Sequence, residues 1–273
     1  MIRIANAPVS FGAFELTVGV SPHVPDPLVV LDSIAGSGYS GTELGPPGYL
    51  GDVDSLRERL DDRRLALAGG FVPVCFGEEI GQLEEVIDLF DAAVGTPKLV
   101  LADDGARGEA VDWPRLADGV ARAAASARAH GYSPTFHHHM GSRVETPTEI
   151  ERLLELTDVG LLLDTGHLLA AGGDPLRGLC DWRHRIDHVH LKDIRLDILR
   201  SSAGWDEAWR NGVFCELGAG DADLESFLSE LAGTDYDGWV VVEQDCFPAS
   251  AEDVIAAALA QERNRRWLAG LGF

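Results

Sequence analysis

Basic residues are scarce in this chain. Lys and Arg together number 22 against 45 Asp and Glu, which gives a formal net charge of −23 over 273 residues. Such a field repels phosphate backbones and anionic membrane surfaces, and no local Lys/Arg patch offsets it, so neither a nucleic acid nor a membrane is an expected partner. A neutral or cationic small molecule suits the charge better. Cysteine is sparse as well: Cys75, Cys180, Cys215 and Cys246 stand far apart and form no C-x-x-C pair. That spacing argues against a zinc knuckle or a dithiol redox motif and fits a reducing cytosol. Long apolar runs are missing, because no uninterrupted stretch approaches the roughly 18 residues of a spanning helix. Met1 leads straight into Ile2-Arg3-Ile4-Ala5-Asn6 rather than into a basic segment followed by an apolar one, so an unexported, cytoplasmic protein is expected.

What is present is alternation. Short β-like runs at 2–6, 41–44, 65–72, 98–102, 134–139, 160–164, 186–191 and 238–243 are separated by longer stretches, several with helical periodicity. The clearest helical stretches are 113–130, 147–156 and 251–268, with 54–64 and 78–94 also of this kind. Thr146-Pro147-Thr148-Glu149 has the form of an N-cap followed by proline at the first helical position, Asp174-Pro175 repeats it, and Gly131 follows a helix as a C′ residue would. Eight βα units predict an α/β fold, a (β/α)8 TIM barrel, and no linker or composition break divides 1–273 into more than a single domain. Two segments stand apart: 7–27 has several Pro and Gly without periodicity, and 192–222 is too long for an ordinary connection. In the second, Trp205 and Trp209 are spaced i, i+4. That spacing suggests a short helix that either lays aromatic surface over the barrel mouth or packs the loop down.

Four successive strand-like runs end on metal-ligand chemistry: His137-His138-His139, Asp164-Thr165-Gly166-His167, His188-Val189-His190-Leu191-Lys192-Asp193 and Val242-Glu243. Alternation along a strand puts His137 and His139 on one face and His138 on the other, and likewise groups His188, His190 and Lys192. Burying so many polar groups costs free energy unless ligands or partners satisfy them. Asp164 closes an apolar run and is either an N-cap or a ligand. Glu243 ends the most hydrophobic strand, where a lone carboxylate would be unusual. A single site with His137, Asp164, His190 and Glu243 as metal ligands follows. Two imidazoles and two carboxylates suit Mn²⁺, Co²⁺, Fe²⁺ or Zn²⁺ better than Ca²⁺ or Mg²⁺. His139, His167 and Lys192 remain as groups able to bind substrate or move protons. Glu43 at the end of Gly41-Thr42-Glu43 is either a substrate-facing carboxylate or a hydrogen-bond acceptor for a loop, and Trp205 is a candidate substrate contact. Gly218-Ala219-Gly220-Asp221 has the composition of a phosphate-cradling turn, but no Lys-Ser/Thr follows it, so phosphate binding is not expected there.

These residues, together with Ile4-Ala5-Asn6-Ala7-Pro8-Val9-Ser10-Phe11-Gly12, Gly41-Thr42-Glu43-Leu44-Gly45 and Gly238-Trp239-Val240-Val241-Val242-Glu243-Gln244-Asp245, resemble the xylose isomerase-like barrel superfamily of sugar phosphate isomerases and epimerases. Within it the chain is most similar to the inosose (2-keto-myo-inositol) dehydratase branch, nearly end to end. In the wider superfamily the metal shell is Glu, Asp, His, Glu; here His137 stands at the first position. Two opposed glutamates serve epimerisation, so the histidine moves the expectation from isomerase toward lyase. The resemblance implies a metal-requiring enzyme of inositol catabolism using manganese or cobalt. A base, Glu243 or Lys192, would take the proton α to a polarised ketone, and an acid, His139 or His167, would help expel the β-hydroxyl as water. An isomerase or epimerase of a ketose or inosose is the second reading. An AP-endonuclease-like protein, which the charge disfavours, and a non-catalytic polyol-binding barrel are more distant ones. Self-association into a homo-oligomer is compatible with all of them.

Overall fold

The computed structural model describes residues 1–74, 82–93, 95–103, 105–108 and 110–273. The strands are β1 (Arg3–Asn6), β2 (Gly41–Glu43), β3 (Ala66–Val74), β4 (Lys98–Asp103), β5 (Ser133–His137), β6 (Gly160–Asp164), β7 (Ile186–Leu191), β8 (Asp193–Ile194), β9 (Phe214–Cys215) and β10 (Trp239–Val242). β1 to β7 and β10 pair in parallel and close into a barrel in the order β1-β10-β7-β6-β5-β4-β3-β2. This is the (β/α)8 architecture that the alternation predicts. Strand β6 shows why an unbroken apolar run belongs here: Leu161, Leu162 and Leu163 are all buried, because barrel interior and surrounding helices cover both faces.

The helices are α1 (Pro27–Gly36), α2 (Leu56–Asp61), α3 (Leu83–Ala92), α4 (Trp113–Ala129), α5 (Pro147–Leu156), α6 (Thr165–Ala170), α7 (Pro175–Trp182), α8 (Leu196–Ser201), α9 (Trp205–Arg210), α10 (Leu224–Ala232) and α11 (Ala251–Gly270). Their starts are chemically marked. Asp174 accepts from Arg177 N ahead of Pro175, and Asp26 accepts from Leu28 N ahead of Pro27. Thr146 and Glu149 form a reciprocal capping box on α5. The helix expected over 78–94 is found as α3; positions 78–81 and 94 lie outside the described residues, as does Cys75. The other three cysteines are free thiols. Among the described residues, no helix is long and apolar enough to cross a membrane.

The N-terminal end of the barrel is plugged. Trp239 is 2% exposed and packs with Ala5, Ala68 and Val241. Gly41 makes room for it: a Cβ there would sit 2.7 Å from Trp239 Cη2. The Arg3 guanidinium lies 4.2 Å over the indole, and Lys98 pairs with Asp187 at 2.9 Å beside it. With that end filled by a ring and paired charges, the polar cluster is left to the C-terminal ends of the strands, where barrels of this kind place their sites.

Residues 192–222 are folded. β8 and β9 form an antiparallel pair, with Asp193 opposite Cys215 and Ile194 opposite Phe214, and α8 and α9 lie between them. Asp193 anchors the segment. Its carboxylate accepts from the backbone N–H groups of Ile194, Gly218, Gly220 and Ala222. The glycine-rich turn is therefore an anion-binding nest filled by a side chain of this chain.

Candidate active site

Strand register sets the site. Asp164 pairs with His190 across β6 and β7, and Glu243 donates its backbone N–H to Leu191 O just past the β10–β7 ladder. Three of the four expected ligands, His137, Asp164 and His190, bring one ligand atom each within 4.8 Å of one another. His137 Nε2 lies 3.5 Å and His190 Nδ1 3.7 Å from Asp164 Oδ2, and His190 Nδ1 lies 3.0 Å from Glu243 Oε2. His137 Nε2, Asp164 Oδ2 and His190 Nδ1 are buried, and among the described residues none makes a hydrogen bond of good geometry, although Glu243 Oε2 stands 3.0 Å from His190 Nδ1 and Lys192 Nζ 3.4 Å from Asp164 Oδ2. Buried polar atoms converging without well-formed hydrogen bonds carry a desolvation cost that a bound cation would remove. The donor set fits a divalent transition metal.

Asp164 is both cap and candidate ligand. Its Oδ1 accepts from His167 N at 2.9 Å, closing the first turn of α6, which leaves Oδ2 to the cluster. The rest of Asp164-Thr165-Gly166-His167 serves Lys192. Thr165 Oγ1 donates to Lys192 O and accepts from Lys192 N, and Gly166 gives clearance, since a Cβ there would meet Lys192 Cβ at 2.6 Å. His167 Nε2 accepts from Lys192 Nζ at 3.1 Å, so its proton is on Nδ1. His138 points away from the others and accepts from Asp164 N at 3.2 Å, holding that strand end in place.

The charges sort the groups. Lys192, 2% exposed, has its Nζ 2.9 Å from Glu243, 3.4 Å from Asp164 and 3.1 Å from Asp245. Burial alone would lower its pKa, but Asp164, Asp245 and Glu243 together hold it well above the ordinary value. His190 behaves alike: burial opposes its charge, and Glu243 and Glu43 raise it. Burial lowers His137 to about 3 and His139 to about 4, and takes His167 well below its ordinary value, so these three rings are neutral at pH 7. His139 donates Nδ1–H to Met140 O at 2.7 Å, which leaves a lone pair on Nε2.

A cavity of about 210 Å³ opens over the cluster, lined by His137, His139, His190, Lys192, Glu43 and Glu243, and walled by Phe14, Phe71 and Trp209. A larger cleft of about 860 Å³ lies at the plugged end around Arg3, Lys98 and Asp187, and none of these clustered ligands borders it. Of the two tryptophans, Trp209 borders the cavity, stacking with Phe14 and Phe247 at 5.4 and 4.6 Å between ring centroids. Trp205 instead lies 5.6 Å from the His167 ring and 5.7 Å from Phe214, one layer behind. His167 likewise supports Lys192 rather than bordering the cavity. Asp245 and Glu15 border it without having been singled out from the sequence. Alternation from Glu243 to Asp245 was the available signal for the first. The second comes from the aperiodic segment after β1, where pattern is silent.

Fold and site together define an enzyme of the xylose isomerase-like TIM barrel family. The family model matches residues 31–269, and the chain belongs to that family. It is 33% identical to an inosose dehydratase of Geobacillus kaustophilus over 95% of this chain and 92% of that protein. It is 35% identical to the rhizopine catabolism protein MocC of Rhizobium meliloti over 89% and 82%. Among solved structures, the IolI protein with a bound zinc atom superimposes with a TM-score of 0.68 at 17% identity, covering 96% of this chain and 97% of that one.

Proposed function

We propose that the chain is a divalent-metal-dependent dehydratase of an inosose or a related keto-polyol. The observation that carries this is the convergence of three buried ligand atoms, one each from His137, Asp164 and His190, with Glu243 and the Lys192 ammonium beside them. The Geobacillus relative's name, inosose dehydratase, supports the substrate class. His137, Asp164, His190 and Glu243 would hold the ion, with Mn²⁺ or Co²⁺ favoured and Zn²⁺ or Fe²⁺ also suited to the donors. Once bound, it would supply Lewis-acid polarisation of the substrate ketone.

The chain's own groups then divide the proton work. A base takes the proton from the carbon α to the ketone; Glu243 and His139, whose Nε2 carries a free lone pair, both border the cavity. The electron pair of that C–H bond forms a C=C bond as the β C–O bond breaks. Lys192 Nζ, held as an ammonium by three carboxylates, donates the proton that lets the hydroxyl leave as water. The α-carbon's own hydroxyl makes the product an enol, which ketonises to a 1,2-dione. This exchanges the roles that the sequence suggests, because Lys192 is charged and His139 and His167 are neutral. Glu43 and Trp209 face the bound polyol, while Trp205 and His167 act from behind.

The test is turnover. Purified protein loaded with Mn²⁺ or Co²⁺ is expected to convert 2-keto-myo-inositol to a product with dione absorbance. Metal-loaded protein that leaves the ketone intact would sink the substrate claim. Solvent deuterium entering recovered substrate without loss of water would transfer the reading to an isomerase or epimerase.

A further inference from the structure

Glu43 is 6% exposed, His188 is fully buried and His190 is 3% exposed. The first comes from β2 and the other two from β7, with β1 and β10 between these strands in the ring. Glu43 Oε1 is 2.8 Å from His188 Nε2 and 3.1 Å from His190 Nε2. An ionised carboxylate can only accept, so each of those nitrogens carries a hydrogen. A metal-ligating histidine must be neutral, and with Nε2–H of His190 committed to Glu43 the lone pair then falls on Nδ1, the atom that faces Asp164 Oδ2 and Glu243 Oε2. Gly69 contributes space, since a Cβ there would come within 2.9 Å of the same Oε1.

We infer that Glu43 and His188 are positioning residues for His190: Glu43 fixes the tautomer and tilt of its ring so that Nδ1 meets the metal, and His188 holds Glu43 in place from the other side. The inference rests on the proposed metal site and deepens it. A ligand's outward hydrogen bond orients it and raises its basicity, and loss of such a partner costs 10- to 100-fold in metal affinity as an order of magnitude. Because His188 acts through Glu43, the two residues form one unit whose effects are not additive.

The test needs no substrate. Metal-free protein is titrated with Co²⁺, following the d–d absorption bands and measuring affinity by competition with a chelator. Glu43→Ala is expected to weaken Co²⁺ binding by about 10- to 100-fold and to alter the bands. Glu43→Gln, which keeps shape and packing, is expected to weaken binding in the same direction. His188→Ala is expected to weaken it by less, and the double variant Glu43→Ala/His188→Ala to match Glu43→Ala alone. Gly69→Ala, which displaces the carboxylate without removing any donor or acceptor, is expected to change the bands too. Thermal unfolding in chelator shows which variants fold, and Glu43→Gln carries the test if the alanine variants do not. Wild-type affinity and bands in Glu43→Gln, or additive losses in the double variant, would overturn the inference while leaving the metal site standing. Two Co²⁺ per wild-type chain, one lost with His188→Ala, would overturn it in favour of Glu43, His188 and His190 as a second site. A wild-type protein that takes up no Co²⁺ would remove the metal reading itself.

Discussion

The hydroxyl of Thr165 lies 2.7 Å from the carbonyl oxygen of Lys192 and 2.9 Å from its amide nitrogen, donating to one and accepting from the other. A single side chain thus completes the backbone pairing of Lys192 just beyond the end of β7. Thr165→Val keeps the volume and removes both bonds, leaving two buried backbone groups unpaired. The expected loss is about 1–3 kcal/mol of unfolding free energy, read from urea denaturation, together with reduced turnover as Lys192 loses its fixed height. A loss below about 0.5 kcal/mol, the range of surface substitutions, would show that this clamp contributes little.

Metal removal should be visible in stability before it is visible in chemistry. An ion that binds only the folded chain adds about 2.7 kcal/mol at one hundred times its dissociation constant. The melting temperature is therefore expected to fall in chelator and to climb with added Mn²⁺ or Co²⁺. His137→Ala removes one of the three converging atoms while leaving the contacts of Lys192 with Glu243 and Asp245 untouched. It should melt at the same temperature with or without the ion, and a full wild-type response in that variant would remove His137 from the ligand set.

Acid should weaken the start of α5. Glu149 accepts from Thr146 N at 2.9 Å and pairs with Arg107. Its pKa is lowered: burial raises it, but the Thr146 N–H and the Arg107 guanidinium outweigh that. A group depressed in the folded state stabilises above its unfolded value, near 4.3, and that contribution disappears as pH falls through the folded value. Glu149→Gln should therefore be less stable than wild type at pH 7, with the gap in urea midpoint closing as pH drops below about 4. A gap that persists unchanged in acid would assign the effect to hydrogen bonding alone.

The barrel was legible because its signals are local. Leu161-Leu162-Leu163, the Asp174-Pro175 and Thr146-Pro147 starts and the eightfold alternation each lie within a few residues, and the structure places strands and helices within a few positions of the expected ranges. Strand β5 ends at His137, two residues before its expected limit. His139 there turns back to its neighbour's carbonyl rather than continuing the ladder. Helix α1 carries the same opening, Asp26-Pro27 as Asp174-Pro175, but follows an aperiodic Pro- and Gly-containing segment that hides it.

What the sequence could not supply was which groups meet across the ring. Glu43 and His188 are 145 positions apart, and only closure of the barrel brings them to hydrogen-bond distance. The choice between Trp205 and Trp209 depends on how the β8–β9 segment folds over the rim, and both share the same helix. The protonation of Lys192 depends on Asp164 at the end of β6 and Glu243 and Asp245 just past β10 meeting its ammonium.

Lys192 and Asp193 are adjacent and face opposite ways, one into the cavity and the other into the nest formed by Gly218, Gly220 and Ala222. One junction therefore joins the reaction centre to the chain that walls it. Residues 195–213, including Trp209, form a loop whose ends are held together by the β8–β9 pairing, and the Asp193 anchor fastens that base to the turn after β9. Changes in the length and side chains of this loop therefore reshape one wall of the cavity while the fixed ammonium, its three carboxylates and the anchoring aspartate, all outside it, keep their places.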